Sequence, residues 1–383
     1  MPIFLVRLGA SHLILGLVSS LPAVAGMLLA VPAGQLLARS RNIVRLVSVA
    51  RALCYFSFAL IGLVPFLMTR FQPEIVVTVW AISAVPQVLV FVGITAIIGM
   101  TAGPDGRFLL LSRRWSLMGL VTTGTILIAG QALRLLAFPL NYQVMFLLSA
   151  FGAAGTYMAT IPIELSMAPP PVQQPSLLAL LRRHALTLRG NRDFVNLAAS
   201  HMVLRLGMSL ALPLLPIYWV RNLHASDAAV SFINGAAVLA SIVGYFVWTR
   251  SSQRRGPRWV LLFSSLGVSL YPLLTGLTQQ VGLLALWAIV AGFFVAGQDL
   301  ALIDLLFIHC PPNEQPVYVG FYQATSQLAN AIAPLAGTAL AGAIGIVPAL
   351  IASSALRLVG LGLMARLVHS SSNRVECSPH EVV

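Results

Sequence analysis

The chain contains few charged residues, and lysine is missing from it altogether. Only 9% of its 383 residues are charged, whereas 58% are hydrophobic. Soluble globular domains carry charge on about a quarter of their residues, so the composition excludes an ordinary soluble domain. The chain is therefore predicted to be an all-α, polytopic membrane protein.

Cysteine is also scarce. Cys54, Cys310 and Cys377 lie far apart and lack the spacing of metal ligands. Neither a disulfide framework nor a metal site is expected. The sequence has no nucleotide-binding motif either, so coupling to ATP is not expected and no cofactor is predicted.

The basic residues are all arginine, and 23 of them against 10 acidic residues give a formal charge of +13. In a membrane protein, arginines concentrate in the cytoplasmic loops, so their location matters more than the net charge. The excess therefore does not indicate binding to nucleic acid, and the predicted surroundings are a lipid bilayer.

Eleven apolar runs are long enough to cross a bilayer as helices. Five precede the one long polar stretch of the chain and six follow it. They cover residues 12–37, 44–68, 75–100, 115–137, 143–165, 195–219, 228–249, 259–278, 281–308, 318–341 and 344–368.

The polar stretch, residues 166–194, divides the chain into two predicted bundles, 1–165 and 195–368, with a tail over 369–383. Four prolines within residues 166–175 cannot continue a helix. Leucines interleaved with Arg182, Arg183 and Arg189 then follow Ser176, which predicts an amphipathic helix. That helix is either a solvated linker or a strut that contacts lipid.

An internal repeat relates the two bundles. Residues 2–11 return as residues 216–226, and the offset stays near 215 as far as Arg39 and Arg255. Two homologous halves of six helices are therefore expected. Residues 195–215 have no counterpart before Met1, so we expect the chain to begin inside the first helix of its first half.

The loop arginines are distributed unevenly between the two sides of the membrane. With the loops assigned alternately to the two sides, sixteen arginines fall on one side and only Arg7, Arg70, Arg134 and Arg221 on the other. This asymmetry predicts that the polar stretch and the C-terminus are cytoplasmic, in a protein of the cytoplasmic (inner) membrane.

Two six-helix halves joined by a cytoplasmic loop resemble the major facilitator superfamily of secondary transporters. The family motif between its second and third helices is similar to Gly34, Arg39 and Arg41 here, and Arg254 and Arg255 stand at the equivalent place in the second half. The resemblance implies that these residues belong to a cytoplasmic gate. The acidic residue of the family motif is absent at both places. In the first half, Ala38 stands at its position.

Ionisable side chains are rare inside the predicted segments, and each costs about 2.5 to 3.5 kcal/mol to insert. The resemblance implies that segments 195–219 and 281–308 line the central cavity, which places Arg205 and Asp299 near the pathway. At 1.5 Å per residue both lie at similar depth, about 15 Å and about 13 Å from the same side, so we expect them to pair. Asp304, one turn from the inner end, is predicted to be a gate residue.

Segment 318–341 carries an amide stripe, because Gln323, Gln327 and Asn330 fall on one helical face. The stripe either bonds a neighbouring helix or faces substrate. Two glycine pairs, Gly152 with Gly155 and Gly360 with Gly362, predict close helix packing.

The sequence predicts a monomeric secondary transporter that moves a small organic solute by alternating access, with a proton gradient as the energy source. No catalytic residues are predicted. One alternative is a degenerate relative that no longer transports. Another is a membrane-embedded enzyme that modifies lipids, which the spacing of Asp299 and Asp304 disfavours, because about 140° round a helix separates them.

Overall fold

The computed structural model describes residues 1–40, 42–68, 70–160, 191–309 and 315–375, and these contain helices and no β-strand. Their α-helices are α1 Pro2–Arg7, α2 His12–Arg39, α3 Ile43–Leu67, α4 Gln72–Ala132, α5 Leu140–Thr160, α6 Arg192–Ala211, α7 Leu214–Ile217, α8 Asp227–Arg255, α9 Pro257–Leu277, α10 Val281–His309, α11 Gln315–Ile344 and α12 Ile346–Val375. A π-helical turn, Tyr218–Asn222, follows α7.

Within these ranges, nine helical stretches are long and apolar enough to cross a membrane. They lie in α2, α3, α4, α8, α9, α10, α11 and α12 and across Phe194–Asn222. Of the two other predicted segments, 115–137 contains the shorter apolar stretch Leu117–Ala132, and 143–165 corresponds to α5. The all-helical, multi-pass fold class is confirmed.

Helix α4 differs from the prediction. The sequence predicts separate segments at 75–100 and 115–137 with a connection around Pro104, whereas the structure has one helix of 61 residues, Gln72–Ala132. The predicted break near Pro104 is therefore wrong, because the helical backbone is continuous there. Apolar stretches lie on both sides of the proline, with three consecutive leucines at 109–111, and the helix continues between them through Gly103, Pro104 and Gly106 despite the low helix propensity of these residues.

Asparagine or serine begins three of the membrane helices. Ser11, Asn42 and Asn191 precede α2, α3 and α6, and each accepts a hydrogen bond from the backbone N–H three residues later. This side-chain cap satisfies one of the free donors of the first turn. The predicted linker ends at the third of these caps, and its part up to residue 190, Ser176 included, lies outside the described residues.

The chain forms two compact units. The first comprises Met1–Leu177 with Trp219–Phe232, and the second comprises Leu178–Tyr218 with Ile233–Val383. In the first unit, α3 packs against α4 and α5, while α2 packs against α4. The Phe4 ring of α1 is fully buried and contacts Phe138, Tyr142 and Phe146.

In the second unit, α6 packs against α11 and α12, and α9 packs against α10 and α12. Apolar side chains from α6, α8, α9, α10 and α12 form the largest cluster of this unit, which includes Leu204, Trp248, Leu261, Leu305 and Met364.

Helices α8 and α10 approach each other at three successive places within the second unit. A Cβ atom on Gly292 would collide with the carbonyl of Ala237, and one on Gly244 would lie 2.7 Å from the carbonyl oxygen of Phe293. A Cβ atom on Gly297 would lie 2.8 Å from the Trp248 ring. Only glycine permits this contact between backbones.

Candidate functional site

A polar seam joins α6 to α11 in the second unit. His201, Arg205 and Ser209 follow one another at intervals of four residues and so share one face of α6. The Tyr322 hydroxyl lies 3.0 Å from Nε2 of His201, and the two rings stack with centroids 4.3 Å apart. The seam therefore begins with a stacked, hydrogen-bonded pair.

Eight residues further along each helix, a second contact closes the seam. The Ser209 hydroxyl donates to Oδ1 of Asn330 at 2.6 Å, and the Asn330 amide donates to Oε1 of Gln327 at 3.2 Å. Polar bonds between helices hold their relative rotation and register, because each broken bond leaves a polar group in an apolar medium.

Arg205 lies between these two contacts, and Asp299 of α10 lies within electrostatic reach of it. The hydroxyl of Tyr245, on α8, lies close enough to Asp299 to interact with its carboxylate. Arg205 also acts electrostatically on His201 and Tyr322. No ion pair within 4 Å joins Arg205 to Asp299 in the described residues.

Two nitrogen atoms in the seam are buried without a hydrogen-bond partner in the described part of the chain. They are Nδ1 of His201 and Nε of Arg205. A guanidinium with an unused N–H is suited to binding a carboxylate or another anionic group, because such hydrogen bonds are charge-assisted. Asp299 and the Tyr245 hydroxyl supply further acceptor and donor capacity nearby.

Arg357 of α12 is a second buried cation of this unit. Its guanidinium donates to the backbone carbonyls of Val268 at 2.8 Å and Met208 at 3.4 Å, which belong to α9 and α6. Arg357 therefore ties three helices together through main-chain acceptors, which is a structural role.

The first unit carries a charged cluster of its own. Arg7 Nε donates to the Asp227 carboxylate at 2.8 Å, and the Tyr142 hydroxyl donates to the same oxygen at 2.7 Å. Arg7 also donates to the carbonyl of Ala225, and Arg221 donates to that of Ala10. Burial alone lowers the pKa of Arg7, but the hydrogen bond and the charge of Asp227 outweigh burial and raise it.

Comparison with known proteins agrees with the predicted family. The sequence model of the Major Facilitator Superfamily matches residues 197–377, and solved transporters share the fold over nearly the whole chain. A variant of nucleoside transporter NupG has a TM-score of 0.73 at 14% identity and covers 96% of this chain and 93% of its own. The second half of the chain is thus similar to the Major Facilitator Superfamily in sequence, and the chain as a whole has the fold of these transporters.

Two further structures of similar fold extend the comparison. A bacterial homologue of iron transporter ferroportin in the inward-facing state has a TM-score of 0.71 at 15% identity, covering 96% of this chain and 93% of its own. A D-xylose-proton symporter has a TM-score of 0.71 at 13% identity and covers 95% of this chain and 90% of its own. No curated protein sequence matches the chain. The chain is thus a multi-pass membrane protein with the fold of solved transporters.

The residues predicted for substrate or coupling fall in three environments. Arg205 and Asp299 come within electrostatic reach of each other. Gln327 and Asn330 bond to one another and, through Asn330, to α6. Gln323, by contrast, is exposed, and a shared role of the three amides stays a prediction.

The predicted gate residues are only partly described. Gly34 is buried in α2, whereas the side chain of Arg39 and the whole of Arg41 lie outside the described residues. Arg254 and Arg255 are exposed at the end of α8, and Asp304 is exposed on α10. Their part in gating stays a prediction.

Three residues in or beside the seam were not singled out from the sequence, namely Ser209, Tyr245 and Tyr322. Tyrosine within an apolar segment has the same pattern as a lipid-facing aromatic residue, so periodicity does not separate the two. Ser209 carried a usable signal, because it lies four residues after Arg205 and eight after His201 on one helical face.

Proposed function

We propose that this protein is a proton-coupled transporter of a small organic solute with an anionic group, working by alternating access. Arg205 is the binding residue for the anionic group, and Asp299 is the proton carrier. The observation that carries the proposal is the proximity of Arg205 to Asp299 without direct contact, with Nε of Arg205 unused.

The coupling follows from the charges of this pair. While Asp299 is ionised, it offsets the positive charge of Arg205 and weakens attraction for an anionic solute. When a proton from the aqueous phase neutralises Asp299, Arg205 becomes free to bind the solute, so proton and solute are carried together. Release of both on the other side restores the charge interaction. Tyr245 steadies the carboxylate in either form, because its hydroxyl donates to an ionised and accepts from a protonated carboxyl group.

The solute class follows from the same residue. Guanidinium binds carboxylates through paired N–H donors, so monocarboxylates form the first group to test. According to their names, one protein of similar fold transports nucleosides and another transports D-xylose together with protons, and these two solute classes form the comparison groups. The cytoplasmic membrane, inferred from the arginine asymmetry, and a monomeric state complete the proposal.

The deciding experiment is uptake into liposomes that contain the purified full-length protein. A panel of labelled monocarboxylates, nucleosides and D-xylose is tested with and without an imposed pH gradient. We expect accumulation of a monocarboxylate under the gradient. Asp299→Asn abolishes that accumulation but retains exchange of internal for external solute, because its neutral amide mimics only the protonated state.

The matched control is Glu74→Gln, which removes an exposed carboxylate at the start of α4 and leaves uptake unchanged. Arg205→Ala weakens binding of the carboxylate, and Asp299→Asn in the same chain partly restores it by removing the unbalanced charge. Full gradient-driven accumulation by the Asp299→Asn protein contradicts the coupling role. Failure of every solute class under the gradient contradicts transport of this kind.

A further inference from the structure

The turn between α8 and α9 is strongly basic. Residues 250–258 contain four arginines and no acidic residue. Arg250, Arg254 and Arg255 are exposed, and Arg258 is half-buried. No carboxylate lies within 4 Å of them among the described residues, so these cations are available for an anionic ligand.

The backbone of the turn adds hydrogen-bond donors to this charge. Gly256 ends α8 with φ of +82°, a conformation that favours glycine, and Pro257 begins α9. No side chain caps the first turn of α9. The amides of Arg258 and Trp259 therefore have no intrahelical acceptor, and the N-terminus of a helix attracts negative charge.

One arginine of the turn is held in place by an aromatic stack. Cζ of Arg255 lies 4.4 Å from the centroid of the Trp259 ring. Trp259 stacks on Phe263 with centroids 5.1 Å apart and an interplanar angle of 8°. Trp248 supports both rings, and its indole N–H donates to the carbonyl of Phe293 at 2.8 Å. Arg255 thus loses little freedom when a ligand binds.

Exposed apolar side chains continue from the turn along the two helices. Phe263 on α9 is 47% exposed and Phe246 on α8 is 70% exposed. A free phosphate ion gains nothing from contact with such an apolar surface, whereas the acyl chains of a lipid would pack against it. Arginines beside tryptophan at the end of membrane helices are the pattern that meets lipid headgroups.

We propose that the turn between α8 and α9 binds an anionic phospholipid. Its phosphate lies among Arg254, Arg255, Arg258 and the first amides of α9, and its acyl chains lie along Phe246 and Phe263. The absence of the acidic residue of the gate motif favours this arrangement, because a carboxylate in the turn would neutralise the arginines that bind the phosphate. The site is independent of the transported solute.

The test is native mass spectrometry of the full-length protein released from detergent with equal amounts of dioleoylphosphatidylglycerol and dioleoylphosphatidylcholine. We expect the wild type to retain the anionic lipid preferentially. A triple variant, Arg254→Gln, Arg255→Gln and Arg258→Gln, reduces this preference by at least about fivefold, which is the effect of a single arginine near an anionic surface. The double variant Arg70→Gln and Arg134→Gln, which changes exposed arginines of the first unit, retains it.

Two further measurements keep the outcomes separate. Trp259→Leu leaves all the charges but frees Arg255, so we expect a smaller loss of the anionic lipid than in the triple variant. If the triple variant cannot be purified, Arg255→Gln alone must still lower retention. Unchanged preference in these variants overturns the site, and displacement of the lipid by an equal concentration of glycerol 3-phosphate overturns the lipid as its occupant.

Discussion

Glycines of α11 and α12 have surroundings opposite to those of glycines in α5 and at the end of α4. In the second unit, a Cβ atom on Gly360 would lie 2.6 Å from the backbone nitrogen of Leu204, and one on Gly337 would collide with the carbonyl of Leu210. Both contacts bring α6 against α11 and α12. In the first unit, Gly124, Gly152 and Gly155 have no atom within 4 Å of such a Cβ.

The side chains around the open glycines agree with this difference. Phe151 of α5 is 76% exposed and Met158 is 72% exposed. Glycine on a membrane helix therefore marks close packing only where the backbone of another helix arrives. Backbone contacts of this kind hold α6 in the second unit, and in the first unit α3 approaches α5 in the same way, because a Cβ atom on Gly62 would lie 2.9 Å from the carbonyl oxygen of Gln143. The first unit also has the charged contact of Arg7 with Asp227.

The largest effect is expected for Gly360→Leu. The new side chain must displace the backbone of α6, and overpacking of this kind costs about 3 kcal/mol. Thermal unfolding of the purified protein in detergent measures the loss. Gly152→Leu is the matched control and leaves the melting temperature nearly unchanged. Equal losses in both variants would show that the face of α5 is covered in the same way.

The charged cluster of the first unit gives the next effect. Asp227→Asn removes the ion pair with Arg7 and weakens the bond from Tyr142, which costs about 2 kcal/mol. Because the pKa of Arg7 is raised above its ordinary value, its contribution is fully present at every pH below that ordinary value and is lost only as the pH rises through the pKa of the folded state. The loss in Arg7→Gln is therefore equal at pH 7 and pH 9. A loss that shrinks between these values argues against a fully charged Arg7.

The seam between α6 and α11 gives a smaller effect. A double-mutant cycle with Ser209→Ala and Asn330→Ala isolates their hydrogen bond, and we expect a coupling free energy of about 1 kcal/mol. Ser264→Ala with Asn330→Ala is the control, because the Ser264 hydroxyl donates to the carbonyl of Val260 in its own helix. A coupling of zero for the first pair would mean that the two helices are not joined at this level.

The smallest effect has the opposite sign. Gly152→Ala adds a methyl group in open space and removes the conformational cost of glycine in a helix, so stability rises by about 0.5 to 1 kcal/mol. The same substitution at Gly360 lowers the melting temperature. A decrease in both variants would remove the distinction between the two positions.

The sequence predicted the helices well where a long apolar run ended in polar residues, as at Asn42 and Asn191. It failed at Pro104, because a local signal for a break was weaker than the helix on both sides. The glycine pairs show a second limit. Gly360 is in contact and Gly152 is not, and their local sequences do not say which helix face has a neighbour.

The site shows the same limits at longer range. The similar depth of Arg205 and Asp299 could be worked out by counting from the segment ends, because the helical rise is constant. The contact of Arg7 with Asp227 joins residues 220 positions apart, and no periodicity relates them. Tyr245 and Tyr322 were missed because their hydroxyl groups matter only once a partner is known.

The close contact of α8 with α10 limits how the site can move. Backbones that touch at Ala237, Gly244 and Phe293 cannot slide past one another without a collision. The two helices therefore move as one rigid unit. Tyr245 and Asp299, which lie on these two helices, therefore keep their spacing. Under the proposed coupling, the separation that changes is the one between Asp299 and Arg205, so a displacement of α6 would report the protonation of Asp299.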